Sequence, residues 1–167
     1  TFPKQLGIAE TTPPSKIVAD KDADMGNAKS FKDVRTHLWV VTEDRKNPAR
    51  YATCEYDETG KFPGTKKTVK ADFSVGKELL VTREPHHYAL VFPGKTKYIM
   101  SMKMKAEKDG QKVFLGLCAN QSGKDFLKEV SLTPEWKEYK VEIDVPANEA
   151  DRLLARVKVP PSDLNGN

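Results

Sequence analysis

Cysteine, histidine and long apolar runs are all scarce in this chain of 167 residues, and each scarcity closes off a class of function. The two cysteines, Cys54 and Cys118, are far apart and form no CxxC pair, which argues against zinc. A disulfide between them is open in an oxidising compartment; two reduced, packed thiols are the simpler reading. Cys118 stands in VFLGLCAN, where any small buried apolar residue would serve. No apolar run approaches the ~20 residues that a bilayer span needs, so no membrane partner is expected. Net charge is only +4, from 28 basic and 24 acidic residues. With no arginine-rich tract, aromatic RNA-binding signature or finger-like Cys/His spacing, nucleic acid is not an expected partner either. The sequence opens at Thr1 without Met, a basic n-region or an apolar h-region, so a mature product or an excised domain is expected.

What the chain does have is alternation. In YIMSMKMKA, residues 98–106, Tyr98, Met100, Met102 and Met104 share one parity and Ile99, Ser101, Lys103 and Lys105 the other. Side chains on a strand alternate with a period of two, so this segment reads as a strand with one apolar and one largely polar face. At spacing two the same apolar residues would spread around a helix. A second block, SLTPEWKEYKVEIDVP, repeats the pattern: Tyr139, Val141, Ile143 and Val145 alternate with Lys140, Glu142 and Asp144. Tyr98, Met100, Met102, Met104, Val141 and Ile143 are therefore the expected core between two sheets.

Turn residues arrive at regular intervals: the tetrad ending at Gly60, then Pro63-Gly64, Pro93-Gly94, Lys108-Asp109-Gly110 and Ser122-Gly123. Short apolar runs lie between them, the spacing of an all-β sandwich or barrel. The pattern predicts strands near 34–41, 50–57, 67–73, 77–82, 87–92, 97–106, 112–119, 128–133, 138–145 and 152–159. The helix candidate at 147–158 alternates through Leu153, Ala155, Val157 and Val159, and reads better as a turn followed by a strand. Residues 1–16, rich in Thr and Pro, read as a linker or an extended lead-in strand, and 17–167 as one β-sandwich module. The Pro- and Gly-containing ends suggest a module covalently linked to other domains. The expected fold is all-β, two antiparallel sheets packed face to face.

These blocks resemble the β-jelly-roll carbohydrate-binding modules of the family 4, 9, 16 and 22 group. The resemblance rests on Gly76 in SVGKELLV, PGKTKY at 93–98, YIMSMKMKA at 98–106 and LTPEWKEYKVEIDVP at 132–146, and spans roughly residues 70–159. It departs from the group where Met replaces a common aromatic. The group's closing strand with an Asp-Asp pair is not visible by Asn167, so either the chain is truncated or its N-terminal segment supplies the last strand. The resemblance implies a jelly roll that binds a polysaccharide or oligosaccharide without catalysis. It further implies an extracellular or cell-surface setting, and sometimes a structural Ca²⁺ away from the sugar site.

Candidate ligand-contacting residues follow from chemistry and parity. An aromatic ring stacks on a pyranose face and an ammonium donates to hydroxyl or carboxylate oxygens. Trp39 in THLWVV lies out of phase with Leu38 and Val40, and Lys103 out of phase with Met102 and Met104. If Leu38 and Val40 face the core, Trp39 and Lys103 leave the core side, and together they are the expected aromatic and polar contacts on a concave sheet. Tyr51 and Tyr56 fall on opposite faces of one strand, so at most one joins that surface. Phe126, read in a loop, and Tyr88 with His87 are further candidates. Trp136 reads as a core tryptophan closing the sandwich, with sugar stacking as the alternative. Lysines 95, 97, 103 and 105 share a parity; on a concave sheet they would favour an anionic glycan, on a free face they are simply solvated. Asp20, Asp22 and Asp24 are the candidate Ca²⁺ ligands, although the EF-hand pattern fails at Met25 and Phe31. His86-His87-Tyr88 with Arg83 has the residue types of a polysaccharide lyase, but adjacent strand residues face opposite ways. A structural or adhesion β-sandwich of a surface protein is the alternative function, and a jelly-roll lyase the third.

Overall fold

The computed structural model describes residues 6–10, 17–19, 39–65, 68–83, 97–149 and 152–161. The alternating segments are strands, in the order β1 (Leu6–Glu10), β2 (Ile17–Ala19), β3 (Trp39–Val41), β4 (Thr53–Asp57), β5 (Thr68–Asp72), β6 (Leu79–Arg83), β7 (Lys97–Met104), β8 (Gln111–Ala119), β9 (Asp125–Leu132), β10 (Lys137–Asp144) and β11 (Leu153–Val159). A four-stranded sheet runs β10-β7-β1-β2, a five-stranded sheet runs β3-β6-β11-β8-β9, and β4-β5 forms a separate hairpin. Every strand pairing among them is antiparallel. The chain is all-β and sandwich-like.

The two larger sheets share one core. Tyr98, Met100 and Val141 of the four-stranded sheet join Leu115, Leu117, Leu153 and Val157 of the five-stranded sheet in a single buried cluster. Of the six expected core residues, Tyr98, Met100, Met102, Val141 and Ile143 are buried, while Met104 packs half-buried at its margin. Full burial of a side chain such as Met100 stabilises by about 1.5–3 kcal/mol. Its register partners are Val141 on β10 and Ile8 on β1, so β7 is hydrogen-bonded on both sides.

Leu6–Glu10, within the segment read as a linker or lead-in, is strand β1 and lies between β7 and β2. The expected helix-or-strand segment begins with a short 3-10 turn at Ala147–Glu149 and continues as β11. The strand expected at 87–92 and the Pro93-Gly94 turn lie outside the described residues. Gly76 is required by packing rather than by φ: a Cβ there would run into the Tyr51 carbonyl and the Ala52 nitrogen. That close approach seats the β4 lead-in beside Glu78, where Tyr51 makes an isolated parallel bridge.

Replacing Met100 with Asp places an unpaired charge between the sheets and should cost several kcal/mol, about 3 or more. The exposed Lys140→Asp on β10 should stay within about 0.5 kcal/mol. Urea unfolding of the two variants checks both; equal midpoints would contradict the register.

Candidate functional site

The polar face of β7 points away from the core, and the β4-β5 hairpin brings an aromatic ring to it. In the hairpin tip, Thr65 N donates to Phe62 O at 3.1 Å and Thr65 Oγ1 donates to the same oxygen at 2.6 Å. Pro63 and Gly64 occupy the centre, with Gly64 at φ 87°. Pro followed by a residue of positive φ is the signature of a type II turn, which FPGT supplies. At the strand end, Asp57 accepts from Thr59 N at 2.8 Å, Thr59 Oγ1 at 2.7 Å and Gly60 N at 3.2 Å. These two turns set the direction in which Phe62 leaves the hairpin.

A second ring comes from the β9–β10 connection. Ala106 N donates to Thr133 O at 3.0 Å, tying the chain just past β7 to the start of that connection. One step beyond the Lys137–Met104 pair, Trp136 falls opposite Lys105. The Phe62 and Trp136 rings meet edge to face, with centroids 5.5 Å apart and planes at 85°. Lys103 Nζ sits 4.4 Å from the Phe62 centroid and Lys105 Nζ 5.3 Å from the Trp136 centroid. Edge-to-face pairs contribute about 0.5–1.5 kcal/mol and exposed cation–π contacts about 0.5–1 kcal/mol each. Both rings are half-buried, and neither belongs to the core cluster. The Trp136 Nε1 donor is buried without an acceptor among the described residues.

Electrostatics distinguish this face. Among the described residues, neither Lys103 nor Lys105 forms an ion pair. Glu138, opposite Lys103 in register, is exposed and unpaired with it. The face of the five-stranded sheet is different. There Arg156 Nη1 meets Asp125 Oδ1 at 2.6 Å, Arg156 Nε donates to Thr82 Oγ1 at 3.0 Å, and Lys158 Nζ lies 3.7 Å from Asp125 Oδ2. There both cations are tied to the one Asp125 carboxylate.

The structure sorts the expected contact residues unevenly. Lys103 stands in the aromatic cluster. Trp39 opens β3 in the five-stranded sheet, so it and Lys103, expected on one sheet, are on different ones; the Trp39 side chain lies outside the described residues. The parity premise also reverses, since Val40 is 38% exposed while Val41 packs against the core. Phe126, expected in a loop, is the second residue of β9 and packs against the core. Tyr51 is half-buried beneath Arg50, whose guanidinium carbon is 4.8 Å from the ring and which also ion-pairs Glu78 at 2.6 Å. Tyr56 pairs with Val69 inside the hairpin and is half-buried. His87, Tyr88, Asp20, Asp22 and Asp24 lie outside the described residues. The sequence does not single out Phe62 and favours a core Trp136 with sugar stacking as the alternative; the cues to this surface are the FPGT turn and the match of Trp136 to the polar parity of Lys140. Compared with protein-family models and with curated proteins, the chain matches none.

Both cysteines are free thiols, and burial raises the pKa of each, pushing Cys54 up to about 12. The thiolate is the reactive form, so iodoacetamide at pH 8 should modify neither residue in the folded protein and both after unfolding. Mass spectrometry checks this; fast native labelling would contradict the packing.

The hydroxyl and amide of Thr59 and the amide of Gly60 hold the Asp57 carboxyl below its ordinary value. A depressed folded pKa contributes stability that is complete above the ordinary aspartate range and is lost as pH falls through the folded value. The Thr59 and Gly60 amide NMR signals should therefore titrate at a lower pH than an unstructured aspartate. Asp57→Asn should abolish that titration.

Proposed function

We propose that this chain is a non-catalytic carbohydrate-binding module that targets an attached enzyme or surface protein to a polysaccharide outside the cell. The observation that carries this reading is the Phe62–Trp136 pair on the outer face of the four-stranded sheet, outside the core and flanked by Lys103 and Lys105. Flat rings beside hydrogen-bond donors are what a pyranose requires, since its faces are apolar and its rim is hydroxylated. Ring placement by packed turns also limits the ordering cost on binding.

The fold supports the same reading. From β7 to β11 the chain passes between the two sheets three times, β8 and β9 being a hairpin in one of them. Wrapping of this kind fits a jelly roll, the architecture implied by the sequence resemblance. Activity of such a module is binding alone, and rigidity of the strands that present the rings serves it.

Affinity electrophoresis in gels containing neutral and acidic polysaccharides tests the proposal. At least one polymer should retard the protein. Trp136→Ala and Phe62→Ala should each weaken that retardation by about 2 kcal/mol, the scale of a central aromatic contact, with an unchanged circular dichroism spectrum. Loss on Trp39→Ala alone would move the surface to the five-stranded sheet. Retardation by no polymer would refute the module reading.

A further inference from the structure

We infer that the Phe62–Trp136 surface is selective for an anionic glycan, a polymer whose pyranose units carry carboxylate or sulfate. This rests on the carbohydrate-binding reading and specifies its ligand. The charged groups set against the two rings are the ammoniums of Lys103 and Lys105, which only donate. A neutral sugar offers hydroxyls that both donate and accept, whereas an anionic substituent only accepts and adds charge.

Among the described residues no carboxylate ion-pairs either ammonium. Asp57 is engaged by Thr59 and Gly60 within its turn. Glu107 lies 4.0 Å from Lys70. Glu138 is across the strand from Lys103 without pairing to it. Elsewhere on the sheets Lys112, Lys124 and Lys158 do have carboxylate partners, at 3.7, 3.0 and 3.7 Å. Lys103 on β7 and Lys105 just past its end instead stand on one face about 7 Å apart, each braced on a ring. Two like charges side by side, ion-paired to none of the described carboxylates, repel each other, and an arriving anion relieves that repulsion.

The ring-to-lysine register adds geometry to charge. Phe62 carries Lys103 and Trp136 carries Lys105, so two ring–ammonium units succeed one another along the strand. A glycan crossing the pair meets one ammonium at each ring, so successive charged substituents each find a donor. Because the lysines are partly solvated, the attraction must weaken with ionic strength.

The test is binding of the intact chain to four probes at low and high sodium chloride: polygalacturonate, heparin, neutral xylan and single-stranded oligothymidylate. Selectivity for polygalacturonate or heparin over xylan, with affinity falling as salt rises, is the expected result, and the stronger of the two acidic arms tells carboxylate from sulfate. Lys103→Gln with Lys105→Gln should reduce that affinity roughly tenfold or more at low salt, and the corresponding Arg pair should restore it. Thermal melts establish that the variants fold, and the exposed Lys105→Gln alone gives a smaller loss of the same sign. Equal, salt-insensitive binding of xylan overturns the inference and leaves the module reading standing; binding of no polysaccharide ends both. Oligothymidylate bound as tightly as the acidic glycans, with Trp136→Ala indifferent, also overturns it, because the surface is then a general polyanion site.

Discussion

Everything described here depends on the fixed register of β7. Its apolar parity is enclosed by both sheets, with Tyr98 and Met100 at 0% exposure, and its backbone is hydrogen-bonded to β10 and β1. A slip of one residue would exchange the faces and bring Lys103 into the core while expelling Met102. Burying an unpaired ammonium costs far more than the sheet could recover. The lysines consequently stand on the outer face as a corollary of hydrophobic packing. The strand presents them because it cannot do otherwise.

The surface itself is assembled from three distant segments. Phe62 arrives on a hairpin tip shaped by the Asp57 turn and the FPGT turn, Lys103 and Lys105 lie at the end of β7 and just beyond it, and Trp136 enters as β10 begins. None of these four side chains belongs to the main core cluster. The rings lean on each other, and each lysine covers a ring rather than seeking a carboxylate. On the opposite sheet the reverse holds: Arg156, Asp125, Thr82 and Lys158 form a closed network. The two outer faces thus differ: on one, both cations are ion-paired to Asp125, and on the other Lys103 and Lys105 rest on aromatic rings with no ion pair among the described residues.

Legibility followed physical range. The strands were readable because period-two alternation is written locally, and β7, β8, β10 and β11 appear close to where the pattern placed them. β9 begins earlier than expected, at Asp125, because pairing with β8 extends it through Phe126. Trp39 was misjudged for a different reason. A three-residue strand at a sheet edge gives too little alternation to settle parity, and only pairing with β6, which sets Val41 opposite the buried Val81, shows that Val41 faces inward. Trp136 was read as core because large aromatics usually are buried, yet its position one step past Lys137 gives it the parity of the polar face.

By itself the sequence determined the all-β class, the apolar strand faces, the turn chemistry around Gly64 and Gly110, and the outward parity of Lys103. Each of these is a local consequence of side-chain alternation or backbone φ. Tertiary structure alone decided that Leu6–Glu10 would lie beside β7, that Trp39 and Lys103 would belong to different sheets, and that Phe62 would meet Trp136 edge-on above two lysines. Those outcomes are long-range pairings between segments tens of residues apart. Their geometry is set by how two sheets and a hairpin pack together, which local alternation does not encode.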